Sequence, residues 1–438
     1  MTPLRTRAAS VDVLLMPLGT AGDVHPFLGL GLELAARGHR VRVATNEIFA
    51  PLVQRTGLEF IQLSTAEQFR QALAQPDVWH PRRGVQLMGR FLEEVLPETL
   101  AVLQQHAQPG KTVVAAPALL FGARLAQELW GLTLATVHLQ PIGLPSRHTA
   151  YVPHPLFMAT ASWPGWWQRL AQWAGSLLMD RWLAAGLNRR RRLLGLPPVR
   201  RLLEWWNSPQ CVIGLFPSWF APPQPDWPPQ AVLADFPRFD ESGVQQLDAE
   251  AVDFLAAGPP PIVFTPGSGM QHARRFFEVS AEVCRRLRER GVLLSRHAGQ
   301  IPAHLPPGVK RFSYLPFSWI LPRARAVVHH GGVGSLAQAL AAGIPQIIVP
   351  LAYDQPDNAV RAVRLGVARV VRPGAYRVRR VARLLQELIG SDQVARRAGE
   401  AAERVKSGPG LAAACQALEE LAVGRTAASG APCGEAVP

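Results

Sequence analysis

The sequence predicts an α/β protein with two doubly wound parallel sheets, one in each half of the chain. Three observations predict it. A strand, a Gly-rich turn, a helix and a second strand follow one another near the N-terminus, and the same grammar restarts at Ile262. The third is bulk: 438 residues, 48% hydrophobic and 18% charged, give each half enough apolar surface for its own core.

Val11 to Met16 is an apolar run of strand length, and Gly19-Thr20-Ala21-Gly22-Asp23-Val24-His25-Pro26-Phe27 reads as the turn after it. Phe27 to Arg37 reads as a helix, because Leu28, Leu32 and Ala35 or Ala36 recur at helical spacing, with Gly38 as its C′ residue. Val41, Val43 and Thr45 then alternate as a strand. The unit repeats with a strand at Thr112 to Ala116, a helix at Gly122 to Leu129 and a strand at Thr133 to Leu139. Residues 151–210 break the pattern. They hold seven of the 12 tryptophans together with Arg189 to Arg192, Arg200 and Arg201, which marks an insertion with its own task. After a Pro-rich passage and a poorly periodic stretch, the grammar resumes with a strand at Ile262 to Thr265, a turn at Gly267-Ser268-Gly269 and a helix at Phe276 to Arg290. It continues through Ala326 to His329, the helix Ser335 to Ala342, Gln346 to Val349 and the helix Asn358 to Leu365. The expected organisation is a first domain over 1–230, a link over 231–261, a second domain over 262–423 and a disordered tail over 424–438.

Composition excludes several classes. Cys211, Cys284, Cys415 and Cys433 are far apart and lack metal-site spacing, so neither a disulfide framework nor a zinc site is expected. There is no DxD pair, P-loop or GxSxG elbow, and the first turn is GxxG rather than GxGxxG. No apolar run is long enough to span a bilayer, so a cytoplasmic protein is expected. The net charge of +14, carried almost wholly by arginine, favours anionic partners.

The most informative stretch is His329-His330-Gly331-Gly332-Val333-Gly334-Ser335, between an apolar strand and a helix. Glycines there let a phosphate approach the backbone, and the helix's first N–H groups, at Gly334 and Ser335, carry the positive end of its dipole. His330 adds a further donor; the lesser alternative for the segment read alone is a tight turn with a Ser cap and a packed His. Further on, Asp354 and Gln355 lie just past the strand ending at Val349, where a carboxylate and a carboxamide suit sugar hydroxyls or where Asp354 or Asp357 caps a helix. In the first half, Asp23 stands on the turn after a strand, as a general base would, with His25 as a second candidate or with Asp23 as a plain N-cap.

Together these segments resemble the donor signature of the nucleotide-sugar-dependent glycosyltransferases of family-one type with the GT-B fold, two Rossmann-like domains facing across a cleft. The resemblance implies a base pocket at Tyr314-Leu315-Pro316-Phe317, diphosphate binding by His330, Gly331, Gly332, Gly334 and Ser335 with Ser268, and sugar contacts from Asp354 and Gln355. Tyr314 stands where many members carry Trp, and Gln338 where many carry a ribose-binding Glu. The Gly22-Asp23 turn resembles the acceptor loop of sterol, antibiotic and lipid glycosyltransferases. In members that use His as base, a later carboxylate orients it; Val113 to Ala118 offers none, which favours Asp23. The order Ser208-Pro209-Gln210, Leu215 to Gln224 and Asp226-Trp227-Pro228 is most similar to the rhamnosyltransferases of rhamnolipid synthesis.

The resemblance implies an inverting transferase with no metal and no cofactor, using a dTDP- or UDP-linked hexose, rhamnose or glucose. Its acceptor is expected to be an apolar hydroxyl compound: a hydroxy fatty acid or other lipid, a sterol or a polyketide. Trp163, Trp166 and Trp167 are expected on the acceptor side, either as a lid or as a peripheral contact with the inner face of a membrane. No nucleic acid is expected as a partner. Two rivals stay open: a nucleotide-sugar epimerase of the same architecture, and a basic RNA-binding protein.

Overall fold

The computed structural model describes residues 10–80, 83–149, 152, 158, 165–244 and 246–424. Seven strands form the first sheet: Asp12–Leu15 (β1), Arg40–Asn46 (β2), Glu59–Ser64 (β3), Thr112–Pro117 (β4), Thr133–His138 (β5), Cys211–Leu215 (β6) and Ala231–Ala234 (β7). Their order is β3-β2-β1-β4-β5-β6-β7 with every pair parallel. Six form the second: Ile262–Thr265 (β8), Gly291–Leu294 (β9), Val309–Phe312 (β10), Ala326–His329 (β11), Gln346–Ile348 (β12) and Ala368–Val370 (β13), in the order β10-β9-β8-β11-β12-β13, again all parallel. Parallel strands need crossovers. In the first half these are Ala21–Ala36 (α1), Ala50–Arg55 (α2), Ala66–Ala74 (α3), Arg83–His106 (α4), Phe121–Trp130 (α5), Gly165–Leu193 (α6) and Leu202–Trp205 (α7). Around the second sheet lie Ala249–Ala256 (α8), Arg274–Leu287 (α9), Phe317–Ile320 (α10), Val333–Ala342 (α11), Gln355–Arg364 (α12), Val378–Ile389 (α13) and Asp392–Ser407 (α14), and the chain continues into Ala412–Ala422 (α15).

Helices cover both faces of each sheet, so central strands are buried on both sides and read as continuous apolar runs, as in Val13, Leu14 and Leu15 or Ile262, Val263 and Phe264. The two doubly wound sheets are those the sequence predicts. Strand order reverses between β1 and β4 in one and between β8 and β11 in the other. A crevice outside the carboxyl ends opens at each reversal, and such crevices take ligands.

Four local features differ from the sequence reading. Helix α1 begins at Ala21, not Phe27, so Asp23 and His25 lie in a helical turn. Thr20 is extended and its carbonyl accepts the N–H groups of Asp23 (2.9 Å) and Val24 (3.1 Å), which starts the helix early. Pro26 is held inside it, and Gly22, whose carbonyl loses a rung to that proline, is exposed. Residues 231–234, read as the start of a link, instead complete the first sheet as β7. The last helix, α15, packs its Cys415, Leu418 and Leu421 into the core of the first sheet, although it follows the second in sequence. Helix α12 starts at Gln355, three residues before Asn358. Cys211, Cys284 and Cys415 are free and buried; Cys433 and the tail over 425–438 lie outside the described residues.

Candidate functional site

A cleft of about 670 Å³ lies between the sheets, lined from both halves, within the range of small-molecule sites. Its first wall is the start of α1. Asp23 is the third helical residue, and its Oδ2 accepts the Thr20 backbone N–H (2.7 Å) and hydroxyl (3.2 Å). Thr20, not Asp23, is the N-cap, so the plain-cap reading of Asp23 does not hold. Gly19 makes room for this contact: at φ +128° it adopts a backbone that favours glycine, and a Cβ there would fall 2.3 Å from the carboxylate. Burial pushes the Asp23 carboxyl up to about 6, with the two Thr20 donors acting against the rise. Gly22 also lines the cleft.

His25, two residues on, has Nε2 3.2 Å from Glu241 Oε1, with its ring edge-on to Phe239 at 5.6 Å between centroids. The sequence offered no carboxylate near this imidazole. Glu241 supplies one from the segment after β7, where no periodicity marks it.

The opposite wall is the strand-turn-helix after β11. Gly332 is the N-cap of α11 and Ser335 makes no cap bond, so the Ser-cap reading falls and the hydroxyl is left facing the cleft. A Cβ at Gly334 would meet nothing within 4 Å, which leaves open space above the first N–H groups of the helix. His330 is wedged between two loops: a Cβ at Gly267 would lie 2.7 Å from its Cε1, and one at Gly332 2.5 Å from its Nε2. Its Nδ1 is buried without a hydrogen-bond partner, which points to a missing polar ligand. Burial pushes the imidazole down to about 3, with His329 adding to the effect, so it is neutral. His329 itself is structural: Nδ1 accepts the Gly331 N–H (3.2 Å) and Nε2 pairs with Gln346 Oε1 (2.9 Å). Gly331, at φ +95°, packs against Ile348 and Gln355. Ser268, on the turn after β8, lines the same space.

Asp354 precedes α12 and makes no cap bond to it. Its Oδ2 accepts Asn358 Nδ2 (2.7 Å), and the same amide donates to Gly331 O (3.0 Å), tying together the loops that follow β11 and β12. Burial raises the Asp354 carboxyl to about 7, helped by the charge of Asp23 across the cleft and opposed by Asn358. Gln355 Oε1 already accepts the Leu351 (2.7 Å) and Ala352 (3.2 Å) N–H groups, leaving its amide nitrogen for other contacts. Tyr353, in the left-handed region at φ +61°, donates its hydroxyl to Val78 O and meets Trp79 edge-on at 5.8 Å. That contact clips the loop after β12 to the other half. At the far end, the Tyr314 hydroxyl donates to Asp240 O, Phe317 opens α10 beside it, and Gln338 Nε2 donates to Arg238 O (2.8 Å).

Asp23, His25, Ser268, Tyr314, Phe317, His330, Gly332, Gly334, Ser335, Gln338, Asp354 and Gln355 thus converge on one cleft. Trp166 and Trp167 do not: they lie at the start of α6, exposed and away from the cleft lining. Trp163 lies outside the described residues. One end of the cleft is made apolar instead by Phe69 and Leu73 of α3, Trp79, and Met88 and Phe91 of α4. The alternating pattern of α3 and α4 could have flagged them as helices, but nothing local marks their cleft-facing residues. Among the described residues no cluster of three metal-ligating side chains occurs, and no helix is long and apolar enough to cross a membrane.

Residues 13–128 match the glycosyltransferase family 28 N-terminal domain, and residues 279–421 the C-terminal domain of erythromycin biosynthesis protein CIII-like sequences. The chain is 30% identical to an O-mycaminosyltylonolide 6-deoxyallosyltransferase of Streptomyces fradiae, over 95% of this chain and 99% of that one. It is 28% identical to a sterol 3-beta-glucosyltransferase of Arabidopsis thaliana over 82% of this chain, spanning 57% of that relative's length. Its fold matches the glycosyltransferase SsfS6 of Streptomyces sp. SF2575, solved with thymidine diphosphate, with a TM-score of 0.65 at 18% identity over 94% of this chain and 99% of the other.

Proposed function

The chain belongs to the two-domain nucleotide-sugar glycosyltransferases of the family 1 and family 28 type, and from that premise we propose that it is an inverting, metal-independent hexosyltransferase for apolar hydroxyl acceptors. One observation carries the reading: a carboxylate with a raised pKa, Asp23, faces a Gly-rich helix N-terminus, at α11, across the reversal points of both sheets. In this reading the donor's base sits at Tyr314 and Phe317. Its diphosphate takes N–H groups from Gly334 and Ser335 together with His330 and Ser268, and its sugar meets Asp354 and Gln355. The acceptor lies on the apolar side formed by Phe69, Trp79 and Phe91. Asp23 accepts the proton of the acceptor hydroxyl as that oxygen bonds to the anomeric carbon. The bond from that carbon to the diphosphate breaks on the opposite face, and the configuration inverts. The helix N-terminus and His330 stabilise the leaving diphosphate, the work a metal does elsewhere.

Sterol and polyketide acceptors are favoured over hydroxy fatty acids by the relatives' names. A dTDP donor is favoured by the thymidine diphosphate bound in SsfS6. The test is thermal stabilisation by dTDP, UDP, GDP and NAD, followed by turnover with and without a chelator. A ligand at 100 times its Kd adds about 2.7 kcal/mol. The expected result is a shift with dTDP or UDP and turnover that the chelator leaves intact; a shift with NAD alone would overturn the reading.

Peripheral membrane contact is also proposed, on one feature. Trp166, Leu170, Trp173 and Leu177 are 61%, 47%, 61% and 48% exposed at helical spacing on α6, with Arg169 and Arg181 exposed beside them and no acidic residue from 165 to 179. An anionic lipid surface complements that stripe, each nearby cation contributing about 1 kcal/mol. The protein is expected to sediment with anionic vesicles at low salt, and Trp173→Glu to abolish this with turnover on a soluble acceptor unchanged. Dimerisation through the stripe with no vesicle binding would refute it.

A further inference from the structure

Four successive residues between β7 and α8 each hold a different part of the cleft. The Arg238 carbonyl accepts Gln338 Nε2. The Phe239 ring packs against His25. Asp240 accepts the Ser318 N–H (2.6 Å) and hydroxyl (3.1 Å) through its carboxylate and the Tyr314 hydroxyl through its carbonyl. Glu241, only 4% exposed, accepts Arg55 Nη2 (3.2 Å) on one oxygen and Arg296 Nη2 (3.3 Å) on the other; His25 Nε2 lies 3.2 Å from that second oxygen.

A buried carboxylate is costly unless its partners hold it. Burial pushes Glu241 up, yet His25, Arg296 and Arg55 together outweigh burial and hold the carboxyl below its usual value, so the charge persists. Glu241 also sits at φ +66°, a backbone conformation that disfavours a residue with a Cβ. Strain and a buried charge at one position mark it as more than a spacer.

Arg296 is the functional end of this group. Its guanidinium lies over the Tyr314 ring, 5.1 Å from the centroid, and both residues line the cleft. Stacked in this way, cation and ring form one wall of a slot open to the cleft. The guanidinium has only donors. It therefore favours a base edge with ring carbonyls, such as that of uracil or thymine, over adenine, whose ring nitrogens accept but whose amino group is itself a donor.

We propose that Arg296 is a specificity-determining residue for the nucleobase of the donor and that Glu241 is the positioning residue that holds it over Tyr314. This rests on the donor reading above.

The test is calorimetric binding of UDP, dTDP and ADP to the whole protein. Wild type is expected to prefer UDP or dTDP over ADP. Arg296→Ala and Glu241→Gln are each expected to weaken UDP binding about tenfold and to narrow that preference, and the double variant to lose no more than either single one. Arg55→Ala removes a partner of the same carboxylate outside the cleft lining, so it is expected to leave the preference intact. Unchanged preference in Arg296→Ala, or additive losses in the double variant, would overturn the proposal while wild-type binding of UDP keeps the donor reading. No binding by wild type to any of the three would overturn both. Should Glu241→Gln not fold, Arg296→Ala against Arg296→Lys decides alone: loss of preference in both supports a planar slot, and its retention in both refutes it.

Discussion

Asp23→Asn is expected to lower turnover by about 10² or more, the usual scale for a general base, while the affinity for dTDP or UDP survives. The substitution is chosen for what it leaves in place. An Asn oxygen still accepts the Thr20 N–H, so the start of α1 keeps its contact and only the proton acceptor is lost. Alanine would remove that contact as well, at about 1 kcal/mol, and confuse fold with function. The pH dependence gives a second reading of the same event. Burial raises the Asp23 carboxyl to about 6, so the active, ionised form gains population as pH rises through 6. Wild-type turnover should fall about tenfold per unit below that value, and the Asn variant should lose this limb. The measurement is kcat from pH 4.5 to 8.5 with saturating donor. Unreduced turnover in Asp23→Asn would move the role to His25, which has Glu241 beside it.

The second large effect is expected at His330. Removing one preorganised donor to a developing anion costs about 10² to 10³ in kcat, and His330→Ala should fall in that range. A parallel variant isolates geometry from chemistry. In Gly332→Ala the new Cβ would lie 2.5 Å from His330 Nε2, so the ring must leave its place between the loops although the imidazole is still present. A comparable loss in both variants places the effect in the ring's position. Because burial holds His330 down at about 3, it is neutral across the working range, and the kcat profile of either variant should keep the Asp23 limb. Full activity in Gly332→Ala would mean that the loops yield and that His330 is not held where the leaving group forms.

How far the site could be read beforehand depended on whether a residue's role is written in its neighbours. His330 to Ser335 was legible because strand, glycines and helix are contiguous and the anion site is a property of that junction. Asp23 was legible as a residue but not as a helical one: the apolar spacing marks the helix only from Phe27, whereas Thr20 and Asp23 close the first turn ahead of it. Gln355 does line the cleft, yet its oxygen serves its own loop, a competition no spacing reveals. Phe69, Met88 and Phe91 were missed because an apolar cleft wall has no motif; any amphipathic helix could supply it. Trp166 and Trp167 drew attention by composition, and composition does not tell which way a long helix points. Glu241 sits in the least periodic part of the chain, and its partners come from α2, β9's loop and α1, all distant in sequence.

The return of α15 to the first sheet alters how the molecule can be made. Chains generally fold domain by domain during synthesis, the N-terminal unit first. Here Cys415, Leu418 and Leu421 fill the same core as Ala135, Ile213 and Leu215, and everything in the second sheet is translated between the two groups. The N-terminal unit therefore waits, one face bare, until its partner has been synthesised, so the two halves become native together rather than in turn. A gene cut at the connecting segment would yield two incomplete bodies, not two enzymes' worth of modules.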